Sequence, residues 1–136
     1  MWNLTLSNAS LIAIVDDDES VRQALSALVR SLGYAVVTFP GAEQLLESSR
    51  RGEISCLISD VQMAGLNGLE LHERLAALDE KSVPTILITA YPNERIQRRA
   101  LEAGINCYLT KPFSEDELIA CLRAALSEQT LKANRK

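Results

Sequence analysis

Residues 11–18 read LIAIVDDD, so that five apolar residues lead directly into three aspartates. A continuous apolar run, as opposed to an alternating one, is typical of a strand that helices cover on both faces of a parallel sheet. Two further runs, at residues 54–58 (ISCLI) and 85–88 (TILI), have the same character. Weaker β-rich runs lie at residues 35–38 (AVVT) and 106–109 (NCYL). The sequence therefore predicts five strands, three of them buried on both faces.

Helical spacing fills each interval between these runs. One predicted helical face carries Val21, Leu25, Leu28 and Leu32, and another carries Leu71, Leu75 and Leu78. Further helices are predicted at residues 41–50 and 93–103, and the last helix opens with a capping box at residues 114–117. This alternation indicates one doubly wound α/β domain with right-handed crossovers. We expect the domain at residues 11–127, with an extension at 1–10 and a tail or the start of a linker at 128–136.

The composition narrows the function classes. A chain of 136 residues with a formal net charge of -4 has no broad basic surface, so we expect no direct binding to nucleic acid or to membranes. No apolar run approaches the roughly 18 residues that a membrane span needs, and no signal peptide is recognisable. The three cysteines, Cys56, Cys107 and Cys121, lack metal-binding spacing and are expected to be buried, reduced thiols. These features predict a cytoplasmic protein.

Polar side chains follow four of the five predicted strands. Asp16 and Asp17 follow the first strand, Asp60 the third, Thr89 the fourth and Lys111 the fifth. Because the carboxyl ends of parallel strands meet at one edge, we expect these groups to converge there. Crowded carboxylates favour a bound cation, and their oxygen ligands suit Mg²⁺. An ionised carboxylate can act as a nucleophile without a general base, so the set predicts a site that forms an aspartyl phosphate.

Four motifs carry a family resemblance: IVDDD at residues 14–18, LISDVQM at 57–63, ITA at 88–90 and YLTKPF at 108–113. Their order and their places at strand ends resemble the receiver domain of bacterial two-component response regulators, over about residues 10–127. The resemblance implies a flavodoxin-like, doubly wound (βα)5 fold with a five-stranded parallel sheet in the order 2-1-3-4-5. It also implies a protein that catalyses only its own phosphorylation and dephosphorylation.

The resemblance assigns roles around the acceptor. Asp60 would take the phosphoryl group from a sensor histidine kinase or a small phosphodonor. Asp16, Asp17, Asp60 and the backbone carbonyl of Gln62 would hold Mg²⁺. Residues at the positions of Gln62 and Tyr91 modulate phosphate lifetime in this family.

The resemblance also implies how the signal would leave the site. Thr89 and Lys111 would bind the phosphoryl group, and Thr89 and Tyr108 would form the switch. The bond between Lys111 and Pro112 is expected to be cis. The output surface would comprise the fourth helix, fifth strand and fifth helix, which would meet an effector domain, a downstream protein or, after phosphorylation, a second copy of the chain.

Several alternatives stay open on the sequence alone. The fold could serve as a pseudo-receiver, a protein-binding module that works without phosphorylation. Asp18 and Glu19 fit the start of a helix better than a metal site, and His72 is interpreted as a partly exposed helix residue. The arginines at residues 95, 98 and 99 suit a solvated face and a partner surface equally. A single-domain regulator and a longer one with an output domain are both compatible with the chain.

Overall fold

The computed structural model describes residues 10–79, 81–105 and 107–134. It contains one parallel sheet in the order β2-β1-β3-β4-β5. The strands are β1 (Leu11–Val15), β2 (Ala35–Phe39), β3 (Ile54–Asp60), β4 (Thr85–Thr89) and β5 (Cys107–Thr110). The predicted fold class and strand order are confirmed.

Five α-helices connect or follow the strands, and a short 3₁₀ helix at Arg51–Glu53 precedes β3. The α-helices are α1 (Glu19–Ser31), α2 (Ala42–Leu46), α3 (Gly68–Asp79), α4 (Glu94–Glu102) and α5 (Glu115–Asn134). Helix α5 thus continues past residue 127, into the segment that was predicted as a tail or linker. Residues 1–9 of the predicted extension and residues 135–136 lie outside the described residues. In the described part of the chain, no helix is both long and apolar enough to cross a membrane.

The helix ends follow local side-chain chemistry. Asp18 caps α1, because its Oδ1 accepts hydrogen bonds from the amides of Ser20 and Val21 at 2.8 and 3.3 Å. Ser114 and Glu117 exchange hydrogen bonds of 2.9 and 3.1 Å at the start of α5, as the predicted capping box requires. The interpretation of Asp18 as a helix-start residue is confirmed.

The core has two layers, one on each face of the sheet. Helices α1 and α5 pack on one face, through Leu25, Val29 and Leu122 among others. Helices α2, α3 and α4 cover the other face. All five residues of β1 and of β4 are buried, whereas the edge strands β2 and β5 are partly exposed. This difference confirms that the continuous apolar runs mark the inner strands.

Three details of the sequence interpretation are wrong. His72 is not partly exposed: it faces the sheet with only 5% of its surface accessible. Leu78 lies in the last turn of α3, beyond the packed part of the helix, and is 51% exposed. Only Cys56 is fully buried, because Cys107 lies on the edge strand β5 and Cys121 on a partly covered face of α5; none of the three forms a disulfide.

Candidate functional site

Two carboxylates meet at the carboxyl edge of the sheet. Strands β1 and β3 are neighbours with Val15 opposite Ser59, so Asp16 and Asp60 extend side by side from the two strand ends. Asp16 is 2% exposed and Asp60 is also buried. Two acidic groups at this depth repel each other unless a cation lies between them.

Lys111 supplies positive charge to this pair. Its Nζ lies 3.1 Å from Oδ2 of Asp60 and 3.4 Å from Oδ2 of Asp16. The peptide bond to Pro112 is cis, as predicted. Burial by itself would lower the pKa of Lys111, but the hydrogen bond and charge of Asp60, together with Asp16, outweigh it and raise the pKa. The ammonium therefore stays charged, and one cation faces two carboxylates.

Asp16 is held in place by the loop that follows it and by the first helix. Its Oδ1 accepts the backbone N–H of Asp18 at 2.9 Å, and Arg22 Nη1 donates to its backbone carbonyl at 2.7 Å. Burial raises the pKa of Asp16, and the nearby Asp60 adds to the rise, while the Asp18 amide and the charge of Lys111 oppose it. A buried carboxylate with this raised pKa would be stabilised in its charged form by a further cation.

The donor set fits a hard divalent cation. Asp16 and Asp60 offer carboxylate oxygens. Among the residues that the structure describes, Lys111 alone forms ion pairs with them, so they keep an excess negative charge, which suits Mg²⁺. Asp17 is exposed beside this pair. Among the described residues, no three histidine, cysteine, aspartate or glutamate side chains already form a cluster that could hold a metal. The ligand roles of Asp17 and of the Gln62 carbonyl therefore stay predictions.

Asp60 is fixed by close backbone packing. The amide of Gln62 donates to Asp60 Oδ1 at 2.9 Å, and Ser59 Oγ donates to the carbonyl of Asp60 at 2.9 Å. Gly68, the first residue of α3, lies so close that a Cβ there would be 2.6 Å from that same carbonyl and 2.9 Å from Leu87 Cδ2. From the sequence, Gly68 had no assigned role at the acceptor. A glycine at a helix start that follows an acidic strand end is the signal that could have revealed this approach.

Thr89 lies at the end of β4, next to the acceptor strand, and is 0% exposed. Its hydroxyl donates to Oε1 of Gln62 at 2.6 Å and accepts the amide of Tyr91 at 2.9 Å. Gln62 Nε2 in turn lies 3.5 Å from the carbonyl of Tyr91. From the sequence, Gln62 was expected to offer its backbone carbonyl to a metal ion and to occupy a position that modulates phosphate lifetime, but the contact of its side chain with Thr89 was missed.

Tyr108 connects β5 with α4. Its ring is half-buried against the cluster that contains Leu87 and Ala100, and its hydroxyl accepts the amide of Asn93 at 3.4 Å. Asn93 is the residue that caps α4. The predicted switch residue therefore contacts the start of the helix that would carry the signal.

The comparisons with known proteins agree with this geometry. Residues 12–123 match the family described as "Response regulator receiver domain". The chain belongs to this family. It is thus a receiver domain of two-component systems, a class of signalling proteins and not of conventional enzymes.

The receiver domain is similar to part of several longer regulators. The response regulator TodT of Pseudomonas putida is 42% identical over 118 residues, which are 87% of this chain and 52% of that protein. The regulator FixJ of Bradyrhizobium diazoefficiens is 32% identical over 117 residues, 86% of this chain and 57% of that protein. The receiver domain thus spans about half the length of these curated relatives.

Solved structures share the fold. The response regulator StyR superimposes with a TM-score of 0.82 at 37% identity, over 92% of this chain and 63% of that chain. The chemotaxis protein CheY4 of Vibrio cholerae gives a TM-score of 0.77 at 24% identity, over 87% of this chain and 99% of that chain, which supports the fold alone.

Proposed function

We propose that Asp60 accepts a phosphoryl group from a sensor histidine kinase in a Mg²⁺-dependent reaction, and that this modification changes the surface formed by α4, β5 and α5. One observation carries the proposal: Lys111 Nζ bridges Asp60 and Asp16 at 3.1 and 3.4 Å at the sheet edge where Thr89 also ends its strand. A module that only binds proteins has no need of this buried, charge-unbalanced arrangement. The pseudo-receiver alternative has no such observation in its favour.

The chemistry requires little from the protein beyond placement and charge. An oxygen of Asp60 forms the new O–P bond while the P–N bond of the donor phosphohistidine breaks, and the nitrogen leaves with the electron pair. Lys111 neutralises charge on the phosphoryl oxygens, and its position is fixed by a hydrogen bond of 2.8 Å from its own amide to the carbonyl of Thr89. The Thr89 hydroxyl adds one hydrogen bond to the phosphoryl group.

Asp16, Asp17, Asp60 and the carbonyl of Gln62 would hold the magnesium ion. When bound, Mg²⁺ supplies additional positive charge for the phosphoryl oxygens. Two buried carboxylates that face a single ammonium leave an excess negative charge, and this charge favours binding of the cation. Arg22 and the Asp18 amide hold Asp16 in place by contacts to its backbone carbonyl and its carboxylate.

The route to the surface begins at β4. When Thr89 moves toward the phosphoryl group, the amide of Tyr91 loses its partner, and the segment before α4 can rearrange. Tyr108 contacts the same segment through the amide of Asn93. Helix α4 presents the exposed Leu101 and several arginines, and it would meet an effector domain, a downstream protein or a second copy of the chain. This exchange would take place in the cytoplasm.

Intact-mass measurement tests the proposal. The protein is incubated with acetyl phosphate in two samples, one that contains Mg²⁺ and one that contains a chelator. We expect the wild type to gain the mass of one phosphoryl group only with Mg²⁺, and Asp60→Asn to gain none. Asp79→Asn is the matched control, because Asp79 is an ion-paired aspartate at the other end of the sheet and should leave the gain unchanged.

Two results would contradict the proposal. A phosphoryl group that persists in Asp60→Asn would place the acceptor elsewhere. An unchanged mass of the wild type, under conditions where titration shows bound Mg²⁺, would favour the phosphorylation-independent module.

A further inference from the structure

The hydroxyl proton of Thr89 already has an acceptor in this structure. Thr89 Oγ1 lies 2.6 Å from Oε1 of Gln62, whereas the amide of Tyr91 is a donor to the same hydroxyl at 2.9 Å. A hydroxyl carries one proton. Because the Tyr91 amide can only donate, that proton is directed to Gln62. The amide oxygen of Gln62 therefore occupies the hydrogen bond that Thr89 would have to offer to a phosphoryl oxygen.

We propose that Gln62 is a resting-state latch on the switch: its amide oxygen competes with the phosphoryl group on Asp60 for the hydroxyl proton of Thr89. The inference rests on the proposed function, and it concerns the regulation of the same site. Gln62 is a positioning residue in this scheme, since it acts through Thr89 and not on the phosphorus atom.

Because Thr89 is buried, Gln62 and the phosphoryl group compete directly for its hydroxyl proton. Thr89 is fully buried, so water cannot easily take over the hydroxyl when one partner is lost. Gln62 is exposed, and its amide can turn to water once Thr89 leaves it. The exchange thus releases a solvent-accessible acceptor and gains a charged one, which forms the stronger hydrogen bond. The latch weakens binding of Thr89 to the phosphoryl group without preventing it.

A second contact keeps the latch closed. Gln62 Nε2 lies 3.5 Å from the carbonyl of Tyr91, while the backbone amide of Gln62 donates to Asp60 Oδ1 at 2.9 Å. One residue therefore contacts the acceptor, the switch threonine and the segment that leads to α4. Release of the Gln62 side chain frees Thr89 and Tyr91 together.

The resting hydrogen bond is tested without any phosphoryl group, by a double-mutant cycle in chemical unfolding. The variants are Gln62→Leu, Thr89→Val and the double variant. We expect the two substitutions to be coupled by roughly three- to ten-fold in the unfolding equilibrium constant. Gln44→Leu, at an exposed glutamine on α2, is the matched control and should combine additively with Thr89→Val. Additivity of Gln62→Leu with Thr89→Val would overturn the proposal.

The competition itself is tested by titration with beryllofluoride in the presence of Mg²⁺, followed by the NMR signal of the Tyr91 amide. Beryllofluoride has activated the receiver domain of another regulator, DrrB. We expect Gln62→Leu to bind it roughly three- to ten-fold more tightly than the wild type. In a Thr89→Val background the same substitution should not change the affinity for beryllofluoride, because valine lacks the hydroxyl proton for which the two acceptors compete.

The other outcomes are equally informative. Weaker binding of beryllofluoride by Gln62→Leu would mean that Gln62 helps to hold the phosphoryl group. An effect of Gln62→Leu that persists in the Thr89→Val background would mean that Gln62 acts on the site directly. Either result overturns the latch. If the wild type binds no beryllofluoride, the proposed function fails and the competition fails with it. In that event the unfolding cycle still decides separately whether Gln62 holds Thr89 at rest.

Discussion

The two ends of the sheet carry similar polar groups in different arrangements. At the amino end, Arg51 Nε pairs with Asp79 at 3.1 Å, one cation with one anion. At the carboxyl end, Lys111 pairs with both Asp16 and Asp60. The charged groups at both ends are partly buried. Of the two sets, the one at the carboxyl end leaves a negative charge uncompensated. The balanced pair links the 3₁₀ helix before β3 to the end of α3, whereas the unbalanced set is suited to receive a cation and a phosphoryl group.

Strand β4 shows a similar difference between the two ends of the sheet, because it carries a threonine at each of its own ends. Thr85 is buried and contacts Nδ1 of the buried His72 at 2.7 Å, and its hydroxyl also lies 2.9 Å from the carbonyl of Val83. Thr89 is buried too, but its partner Gln62 is exposed. A buried partner has no alternative in water, and an exposed partner does. The amino end is therefore built for stability and the carboxyl end for exchange.

The largest expected difference between the ends concerns phosphorylation rate. Lys111→Met removes the ammonium beside Asp60, and we expect the rate with acetyl phosphate to fall by about 100-fold or more. Arg51→Met removes a similar cation at the amino end and should leave the rate unchanged. Intact mass against time measures both. Equal rates for the two variants would show that the position of the charge does not matter.

The next difference concerns stability. His72→Ala leaves a cavity and deprives Thr85 of its side-chain partner, so we expect the free energy of unfolding to fall by about 2–3 kcal/mol. Gln62→Ala leaves the buried Thr89 hydroxyl without its acceptor but opens no cavity, because Gln62 is exposed, so it should cost only about 1 kcal/mol. Denaturant unfolding of both variants provides the comparison. Similar losses for the two would remove the distinction between a closed and an exchangeable pair.

The sequence predicted some features of the two sheet ends and missed others, and each outcome has a physical reason. Apolar runs and strand-end residues predicted the sheet and the meeting of Asp16 with Asp60 and Lys111, because these depend on local pattern and on a shared sheet edge. The cis bond before Pro112 was expected from the family resemblance alone. The sequence interpretation failed at His72, since a single polar residue on a helix does not reveal whether a distant strand offers it a partner. Pairings such as Gln62 with Thr89 depend on side-chain orientation between loops, which no local pattern encodes.

The two ends also differ in how tightly a glycine is packed. Gly68→Ala would place a Cβ 2.6 Å from the backbone carbonyl of Asp60, and we expect a loss of about 1–2 kcal/mol together with slower phosphorylation. Gly52→Ala, just before β3 at the amino end, meets no atom within 4 Å and should change neither quantity. Unfolding curves and mass-resolved kinetics of the two variants measure both effects. A neutral Gly68→Ala would mean that α3 can move away from the acceptor at little cost.

The smallest expected effect is a pH dependence that belongs to the amino end. Burial lowers the pKa of His72 below its ordinary value of 6.5, although a hydrogen bond to the backbone of Ala103 and the charge of Glu73 oppose the shift. The unfolded chain therefore binds more protons than the folded one as the pH falls through 6.5, and the free energy of unfolding decreases in that window. Between about pH 7.5 and pH 5.5 we expect the wild type to lose more of its free energy of unfolding than His72→Leu, in which the group cannot titrate. Acidic side chains contribute to both proteins and cancel in the difference. Parallel curves for the two proteins would mean that His72 is not held neutral in the fold, and the description of the amino end as a closed pair would have to be given up.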